Sequence, residues 1–333
     1  MSLVSVVIPT LNRLPLLQAT VASVQAQVYG AWELVIVDDG SSDGTTAWVS
    51  AERARDPRIR LVERSSLRSE THGAQVCRNL GLQQVNGEVV LFLDSDDLLA
   101  PDCLHRRQQV LQKERSLDAV VGQAGYFQDQ PFDLGIDKIW GNLDPEEGDL
   151  DRFLAHAIPW QTSGPLWRRE ALNCIGPWDE RLQHVGHDHE FHVRALCRGV
   201  RFRKLAGVDY FWRVPRNDSL SSLESFKLRH RDGGMITAYR AIIAEVMGNG
   251  CSTSLREAVM AREVIRLMMD CRNFGGSAQC CEQGLLDAAQ RGLLPAWKLV
   301  ASRVLLRCWW RIGGRLPAMA LLNRLAGEAV ASR

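Results

Sequence analysis

Short apolar runs separated by helical stretches of mixed polarity fill the first hundred residues. Residues 3–8 form a β-branched apolar run closed by Pro9 and Thr10, and 33–37 and 59–63 form two more. A fourth run, 89–93, is too short for a helix to bury alone and predicts a buried strand. Between these runs, 14–27 sets Leu17, Val21 and Val24 at helical spacing, 45–55 has a helical pattern, and 72–85 carries Val76, Leu80 and Leu82 on its apolar positions. Strands alternating with helices predict β-α-β units and a mostly parallel sheet. From 118 to 212 the pattern is less regular: strands are expected at 119–121 and 201–205, helices at 169–172 and 188–197, and a loop over the Asp-, Gly- and Pro-rich 127–150. Beyond about 225 the pattern is helical, broken at Gly248 and Gly250, at Gly275 and Gly276, and at Gly313 and Gly314.

Composition limits what such a chain can be. At 333 residues, 46% hydrophobic and 24% charged, it matches a soluble globular protein with one large domain and an extension, or two domains. A net charge of +1 argues against a generic nucleic-acid binder. The charge is uneven, since residues 291–333 hold eight Lys or Arg against one Glu, a local +7 that leaves −6 for the rest. Nine cysteines with no C-x-x-C pair form neither a disulfide framework nor a zinc ribbon and suit a reducing cytoplasm. The first residues enter a strand at once without a basic stretch, so no signal peptide is expected. No apolar stretch reaches the roughly 18 residues of a membrane span.

The chemistry gathers at strand ends. Ligands of open parallel sheets sit at the carboxyl ends of the strands. Three such ends are polar here: Thr10-Leu11-Asn12-Arg13, Asp38-Asp39-Gly40-Ser41-Ser42-Asp43, and Asp94-Ser95-Asp96-Asp97. Residues two apart on an extended chain face the same side, so Asp94 and Asp96 can converge, and their hard oxygens suit Mg²⁺ or Mn²⁺ carrying a phosphate. By themselves these four residues fit a solvated turn capping the next helix equally well. Three polar ends at equivalent sites favour one polar ligand pocket. A second cluster, His184, His187, His189 and His192 around Asp188 and Glu190, offers metal-binding side chains, with His187-Asp188 like the dyad of metal-dependent phosphohydrolases. That chemistry needs further ligands from an all-helical domain. On a helix His189 and His192 share a face while His187 and His189 do not.

The order Val4 to Asn12, then Glu33 to Thr45, then Cys77-Arg78-Asn79-Leu80-Gly81, then Gly87 to Asp97 with Pro101-Asp102, resembles family 2 glycosyltransferases. The resemblance is dense over 3–104, thinner over 160–222, and absent from the C-terminal third. It implies an α/β, GT-A-like fold: a mostly parallel Rossmann-type sheet flanked by helices, with a C-terminal helical extension. The implied domain spans 1–224, with a nucleotide-binding half at 1–104 and an acceptor-binding half at 105–224, followed by a helical extension at 225–333. It implies that Asp39 accepts a hydrogen bond from the nucleotide base and that Pro9, Thr10 and Asn12 hold base and ribose. Asp94 and Asp96 match the D-x-D motif as metal ligands, with Asp97 assisting, and Arg78 stands near the diphosphate. Gly176 to Glu180 and His187 to Arg194 resemble the second block of the family, which makes Asp188 the general base of an inverting displacement. His187 departs from that block, where Glu is commoner. Tyr210 to Arg213 and the Ser-containing stretch 217–222 resemble the closing segment, in which Arg213 contacts the diphosphate.

The implied activity is metal-dependent, Mg²⁺- or Mn²⁺-assisted, inverting transfer from a nucleotide-sugar donor, a UDP-sugar, to a glycan or lipid-linked acceptor. Such transfer belongs to polysaccharide or glycolipid synthesis in the cytoplasm. Rival readings are the phosphohydrolase built on His184–His192 and a nucleotidyltransferase. The second usually carries a Gly-rich basic loop after its first strand, which Pro9 to Arg13 lacks; a binding module without activity would not need Asp39, Asp94, Asp96 and Asp188 together. Arg303, Arg307, Arg311 and Arg315 are spaced by four beside Trp297, Val300, Val304, Leu305, Trp309 and Ile312. That stripe fits either an amphipathic helix packed on the catalytic domain or a peripheral contact with the inner face of a membrane.

Overall fold

The structure is a computed structural model, which describes residues 2–67, 71–141, 148–182, 185–214, 227–228, 233–296 and 298–304. Strands β1 (Val4–Thr10), β2 (Trp32–Asp38) and β4 (Val89–Phe92) are buried at every position. Continuous β-branched and apolar residues are what a strand covered on both faces requires. Helix α1 (Leu14–Gln25) follows β1 with a proline in its first turn, where a missing N–H costs nothing. Helix α2 (Thr45–Arg55) leads to β3 (Ile59–Glu63), and α3 (Ala74–Gln84) leads to β4. Gly81 lets α3 lie close on the sheet, because a Cβ there would stand 2.4 Å from Val7 Cγ1.

The remaining strands are β5 (Leu98–Leu99), β6 (Ala119–Phe127), β7 (Ile139–Trp140), β8 (Pro165–Arg168) and β9 (Phe202–Arg213). Among the described residues nine strands form one sheet in the order β3-β2-β1-β4-β8-β6-β9-β5, with β7 on β6. The expected parallel pairing describes β1 to β4. Beyond β4 the sheet is mixed: β8 runs antiparallel to both β4 and β6, whereas β6 and β9 are parallel to each other. The strands expected at 119–121 and 201–205 are the starts of much longer ones, β7 falls inside the expected loop, and α5 (Asp149–Leu154) begins at its end.

Helix α4 (Cys103–Lys113) escapes a search for apolar periodicity because its buried face carries Arg107 and Gln108 beside Leu104 and Leu111. Arg107 and Asp209 of β9 are both fully buried and bond in the bidentate manner, Nε to Oδ2 at 2.8 Å and Nη2 to Oδ1 at 2.7 Å. The third nitrogen, Nη1, donates to the Ser163 carbonyl at 3.1 Å. Gly122 of β6 makes room for the pair, since a Cβ there would sit 1.8 Å from Asp209 Oδ1. Burial pushes the Arg107 pKa down, but the Asp209 charge more than offsets this and holds it above its ordinary value.

The chain divides into two compact units. The first takes 1–148, 158–183 and 198–214 and contains the whole sheet with helix α6 (Arg169–Ile175); the second takes 149–157, 184–197 and 215–333. In the second unit are α5, α7 (His187–Cys197), α8 (Gly234–Gly248), α9 (Ser254–Asn273) and α10 (Ala278–Gln290). Two segments of the 105–224 stretch, α5 and α7, thus group with the C-terminal helices. Thr253 and Ser277 cap α9 and α10 by accepting from Arg256 N and Cys280 N at 3.2 Å. Tyr239 of α8 donates to the Leu154 carbonyl at 2.8 Å, and Arg256 of α9 meets Asp151 at 2.6 Å. Of the arginine stripe, Arg303 pairs with Glu282; Arg307, Arg311 and Arg315 lie outside the described residues, as do Trp297, Leu305, Trp309 and Ile312. Among the described residues no helix is long and apolar enough to cross a membrane.

Breaking the buried pair by Arg107→Met strands the Asp209 carboxylate and is expected to cost about 3–5 kcal/mol in urea unfolding. The double variant Arg107→Met/Asp209→Leu removes both charges and should recover most of that loss. Equal loss in the single and double variants would show that packing, not charge, sets the cost.

Candidate active site

The three polar strand ends are stitched to one another. The backbone N–H of Asp39 donates to the Thr10 carbonyl at 2.9 Å, so the ends of β1 and β2 stay in register. Asp38 Oδ2 accepts from the N–H groups of Gly40 and Ser41, which turns the chain sharply after β2. Asn12, in the left-handed region at φ 51, accepts from Ser42 N at 2.8 Å and donates its own N–H to Ser41 Oγ at 2.9 Å. Asp43 accepts from Leu14 N at 2.9 Å and from the Thr45 hydroxyl at 2.6 Å, which joins the starts of α1 and α2.

Asp39, Asp94 and Asp96 each have an arginine partner. Asp39 is buried, pairs with Arg64 Nε, and accepts from Gly73 N at 2.9 Å at the start of α3. Asp94 Oδ1 accepts from Arg78 Nη2 at 2.6 Å, and Asp96 Oδ2 from Arg13 Nη1 at 3.2 Å. The Arg78 side chain is only 3% exposed and stands 4.7 Å from the Trp178 ring. Its Nε and Nη1 are buried and have no hydrogen-bond partner among the described residues. Thr10 Oγ1 is likewise buried without one. Pro9 closes β1 opposite Val37.

Asp97 faces inward. It is 2% exposed, its Oδ2 accepting from the Ser163 hydroxyl at 2.6 Å and its Oδ1 from Arg213 N at 3.2 Å. Burial, then the Asp96 and Asp94 charges, push its carboxyl well above the usual range, against the pull of Ser163 and the Arg213 N–H. Burial and Asp94 push Asp96 up in the same way, opposed by Arg13 and Arg213. The Arg213 guanidinium donates to the Asp96 carbonyl at 2.9 Å and to the Gln128 carbonyl, and lies 4.3 Å from the Phe127 ring.

Thr10, Asn12, Asp39, Arg78, Asp94 and Asp96 therefore come together at one edge of the sheet, with Arg213 and Asp97 directly behind the acidic turn. Sequence reasoning missed Arg13, Arg64 and Ser163. Arg13 stands next to Asn12 in a turn already singled out. Arg64 follows from the pairing of β2 with β3, where Asp38 is opposite Glu63. Ser163 carries no periodic signal.

Asp188 belongs to the second unit, in the first turn of α7, and is half-buried. Its Oδ1 accepts from His189 N at 2.8 Å, as in a helix cap. Burial pushes its carboxyl up, but His187, His192 and the His189 N–H outweigh this and hold it below its ordinary value. His189 is buried with Nε2 2.6 Å from the Phe153 carbonyl; burial and neighbouring His156 push its pKa down to about 3. Arg194 grips Glu190 one turn back along the helix at 2.7 and 2.9 Å. His184 lies outside the described residues. Among the described residues no three His, Cys, Asp or Glu side chains converge as metal ligands, and the His189 contact points that ring at a carbonyl instead.

A doubly covered α/β sheet with acidic turns at its carboxyl edge is the architecture of a GT-A-like domain. The model of glycosyl transferase family 2 matches residues 5–176, just over half of the chain, which therefore belongs to that family. The Campylobacter jejuni GalNAc(5)-diNAcBac-PP-undecaprenol beta-1,3-glucosyltransferase is 36% identical over 105 residues, 32% of this chain and 33% of that protein. The matches to the first three curated relatives span between 23% and 52% of their lengths. The fold is similar to that of S. aureus TarS 1-349 in complex with UDP, with TM-score 0.64 and 19% identity over 95% of this chain and 93% of that one. It is also similar to the mannosyltransferase PcManGT from Pyrobaculum calidifontis, solved with GDP-Man and Mn²⁺, with TM-score 0.54 and 21% identity over 98% of this chain and 88% of that one.

Ser163→Ala leaves one Asp97 oxygen and the Asp94 N–H without a side-chain partner. It should cost about 1–3 kcal/mol in thermal or urea unfolding, because the groups are buried. A melting curve superimposable on wild type would show that Ser163 does not support the acidic turn.

Proposed function

We propose that the chain transfers a sugar from a nucleoside-diphosphate sugar to an acceptor hydroxyl, with inversion at the anomeric carbon. The observation that carries this reading is the meeting of Asp94 and Asp96 with Arg78 and Arg13, beside Asp39, at the carboxyl edge of the parallel strands. Asp94 and Asp96 are 35% and 29% exposed in their side chains, so each can present oxygen to a ligand. A pair of aspartates fits Mg²⁺ or Mn²⁺, which binds through one or two carboxylates and completes its shell with phosphate oxygens and water. Burial, then the Asp94 charge, raises the Asp96 pKa, and a cation bound there would offset both. When bound, the cation neutralises charge growing on the departing diphosphate.

The chain's own residues do the rest. Arg78, bound to Asp94 through Nη2, sets a positive charge beside the acidic turn that favours a diphosphate there. Arg13 and Arg213 add positive charge at the same turn. Asp39, held by Arg64 and Gly73, accepts from the base, and a uracil imino N–H makes UDP the nucleotide it suits. Pro9, Thr10 and Asn12 shape the ribose and base floor through the backbone. Asp97 assists by fixing the acidic turn. As the acceptor oxygen forms its bond to C1, the C1–O bond to the diphosphate breaks and its electron pair leaves with the nucleotide. The acceptor's proton passes to Asp188, which is ionised at neutral pH. A lipid-linked sugar is the acceptor class supported by the name of the Campylobacter jejuni relative. Residues 1–224 act as the transferase domain in this reading, and 225–333 as its helical extension.

Asp188→Asn should abolish transfer from a UDP-sugar while UDP affinity stays near wild type; near-normal turnover would remove Asp188 as the base. Asp96→Ala should eliminate the gain in UDP affinity that Mn²⁺ brings in calorimetry. If wild type binds UDP equally well with and without Mn²⁺, the metal assignment fails.

A further inference from the structure

The sheet carries a group of aromatic rings that the donor site does not use. Tyr126 of β6 stands opposite Trp212 of β9 in the parallel ladder, and Trp140 of β7 lies on the same face. The ring centroids are 5.5 Å apart for Tyr126 and Trp212, 5.1 Å for Trp140 and Trp212, and 5.9 Å for Tyr126 and Trp140, the last pair stacked. All three are half-buried, so each keeps part of its surface in water. Trp140 is fixed by donating Nε1 to the Ile158 carbonyl at 2.8 Å. Tyr126 Oη and Trp212 Nε1 have no hydrogen-bond partner among the described residues, and neither is sealed from solvent.

Topology puts this group on the rim of the acidic turn. Because β8 is antiparallel to both β4 and β6, β6 runs parallel to β4, and β9 parallel to β6. The carboxyl ends of β4, β6 and β9 therefore share one edge, and Tyr126 and Trp212 are the penultimate residues of their strands. The residue after Trp212 is Arg213, whose N–H bonds Asp97 and whose guanidinium bonds the Asp96 carbonyl.

Partly exposed rings, two of them with a polar atom that has no partner among the described residues, match the chemistry of a sugar. The less polar face of a pyranose presents C–H groups that meet the negative face of an aromatic ring, while its hydroxyls need donors and acceptors at the margin. Trp140 and Trp212 rest one side against the main core cluster, which fixes their rings; Tyr239, by contrast, is fully buried and its hydroxyl is paired with the Leu154 carbonyl.

We propose that Tyr126, Trp140 and Trp212 form a stacking platform for a pyranose ring of the acceptor glycan. Trp212 provides the main face, Tyr126 Oη and Trp212 Nε1 bond to hydroxyls, and Trp140 buttresses both. This assignment of an acceptor subsite rests on the transferase reading above.

The test is saturation-transfer NMR on the full chain with UDP and Mn²⁺ present. The probes are the methyl β-glycosides of glucose, galactose and N-acetylglucosamine, with irradiation of the aromatic protons. At least one probe should be saturated at its ring C–H groups. Trp212→Ala should weaken its binding at least about fivefold and Tyr126→Phe, which keeps the ring, by about twofold. Melting curves identify any variant that fails to fold, and Tyr126→Phe is then decisive. No saturation of any probe, or equal binding by wild type and a folded variant, overturns the platform. UDP calorimetry on wild type separates the two claims. A chain that binds UDP but no glycoside has lost only the platform, and one that binds a glycoside but no nucleotide has lost only the transferase reading.

Discussion

The buried Arg107–Asp209 pair organises the sheet-bearing unit. It fastens α4 to β9 across a gap that only a glycine at 122 leaves open, and its third bond reaches the Ser163 carbonyl. Ser163 then passes the constraint on. Its hydroxyl donates to Asp97, and the Asp94 N–H donates to it at 3.2 Å. The shape of the acidic turn thus depends on a charge pair two bonds away in the core. A solvated turn would have no need of such anchoring, and its backbone would wander by more than a ligand site tolerates.

Charge balance at the strand ends follows the same logic. Asp39, Asp94 and Asp96 each sit against a different arginine, drawn respectively from the end of β3, from α3 and from the turn after β1. These pairs offset the repulsion that three neighbouring carboxylates would otherwise build up. They also fix the orientation of the three carboxylates through charge-assisted bonds. Arg78 is the sharpest case, since two of its nitrogens are buried without a hydrogen-bond partner among the described residues.

Sequence alone carried the first half of the sheet well. The β-branched runs of β1, β2 and β4 are buried on both faces, so their signal is continuous and unambiguous. The three polar ends could be placed on one edge because parallel pairing forces it. Past β4 the signal fails for identifiable reasons. Helix α4 turns Arg107 and Gln108 inward, so it has no apolar stripe to find. Strand β9 begins with alternating exposed positions and a glycine at 207 before its buried aromatic end, which hides its length. Strand β8 is four residues long and pairs antiparallel on both sides, a topology that no local pattern encodes. Ser163 matters through its hydrogen bonds and not its polarity pattern, so only coordinates reveal it.

Helix α7 shows how the histidine-rich stretch serves an acid. Glu190 and Arg194 neutralise each other along the helix. His189 is uncharged in its buried place and is spent on the Phe153 carbonyl, which ties the start of α7 to α5. What remains near Asp188 is His187 and His192 together with a backbone N–H, enough to keep the carboxylate ionised despite burial. Four histidines within nine residues suggested a metal site because they were counted along the chain. In the fold His189 meets a carbonyl, while the charges of His187 and His192 act on Asp188, and the acid is the group they favour.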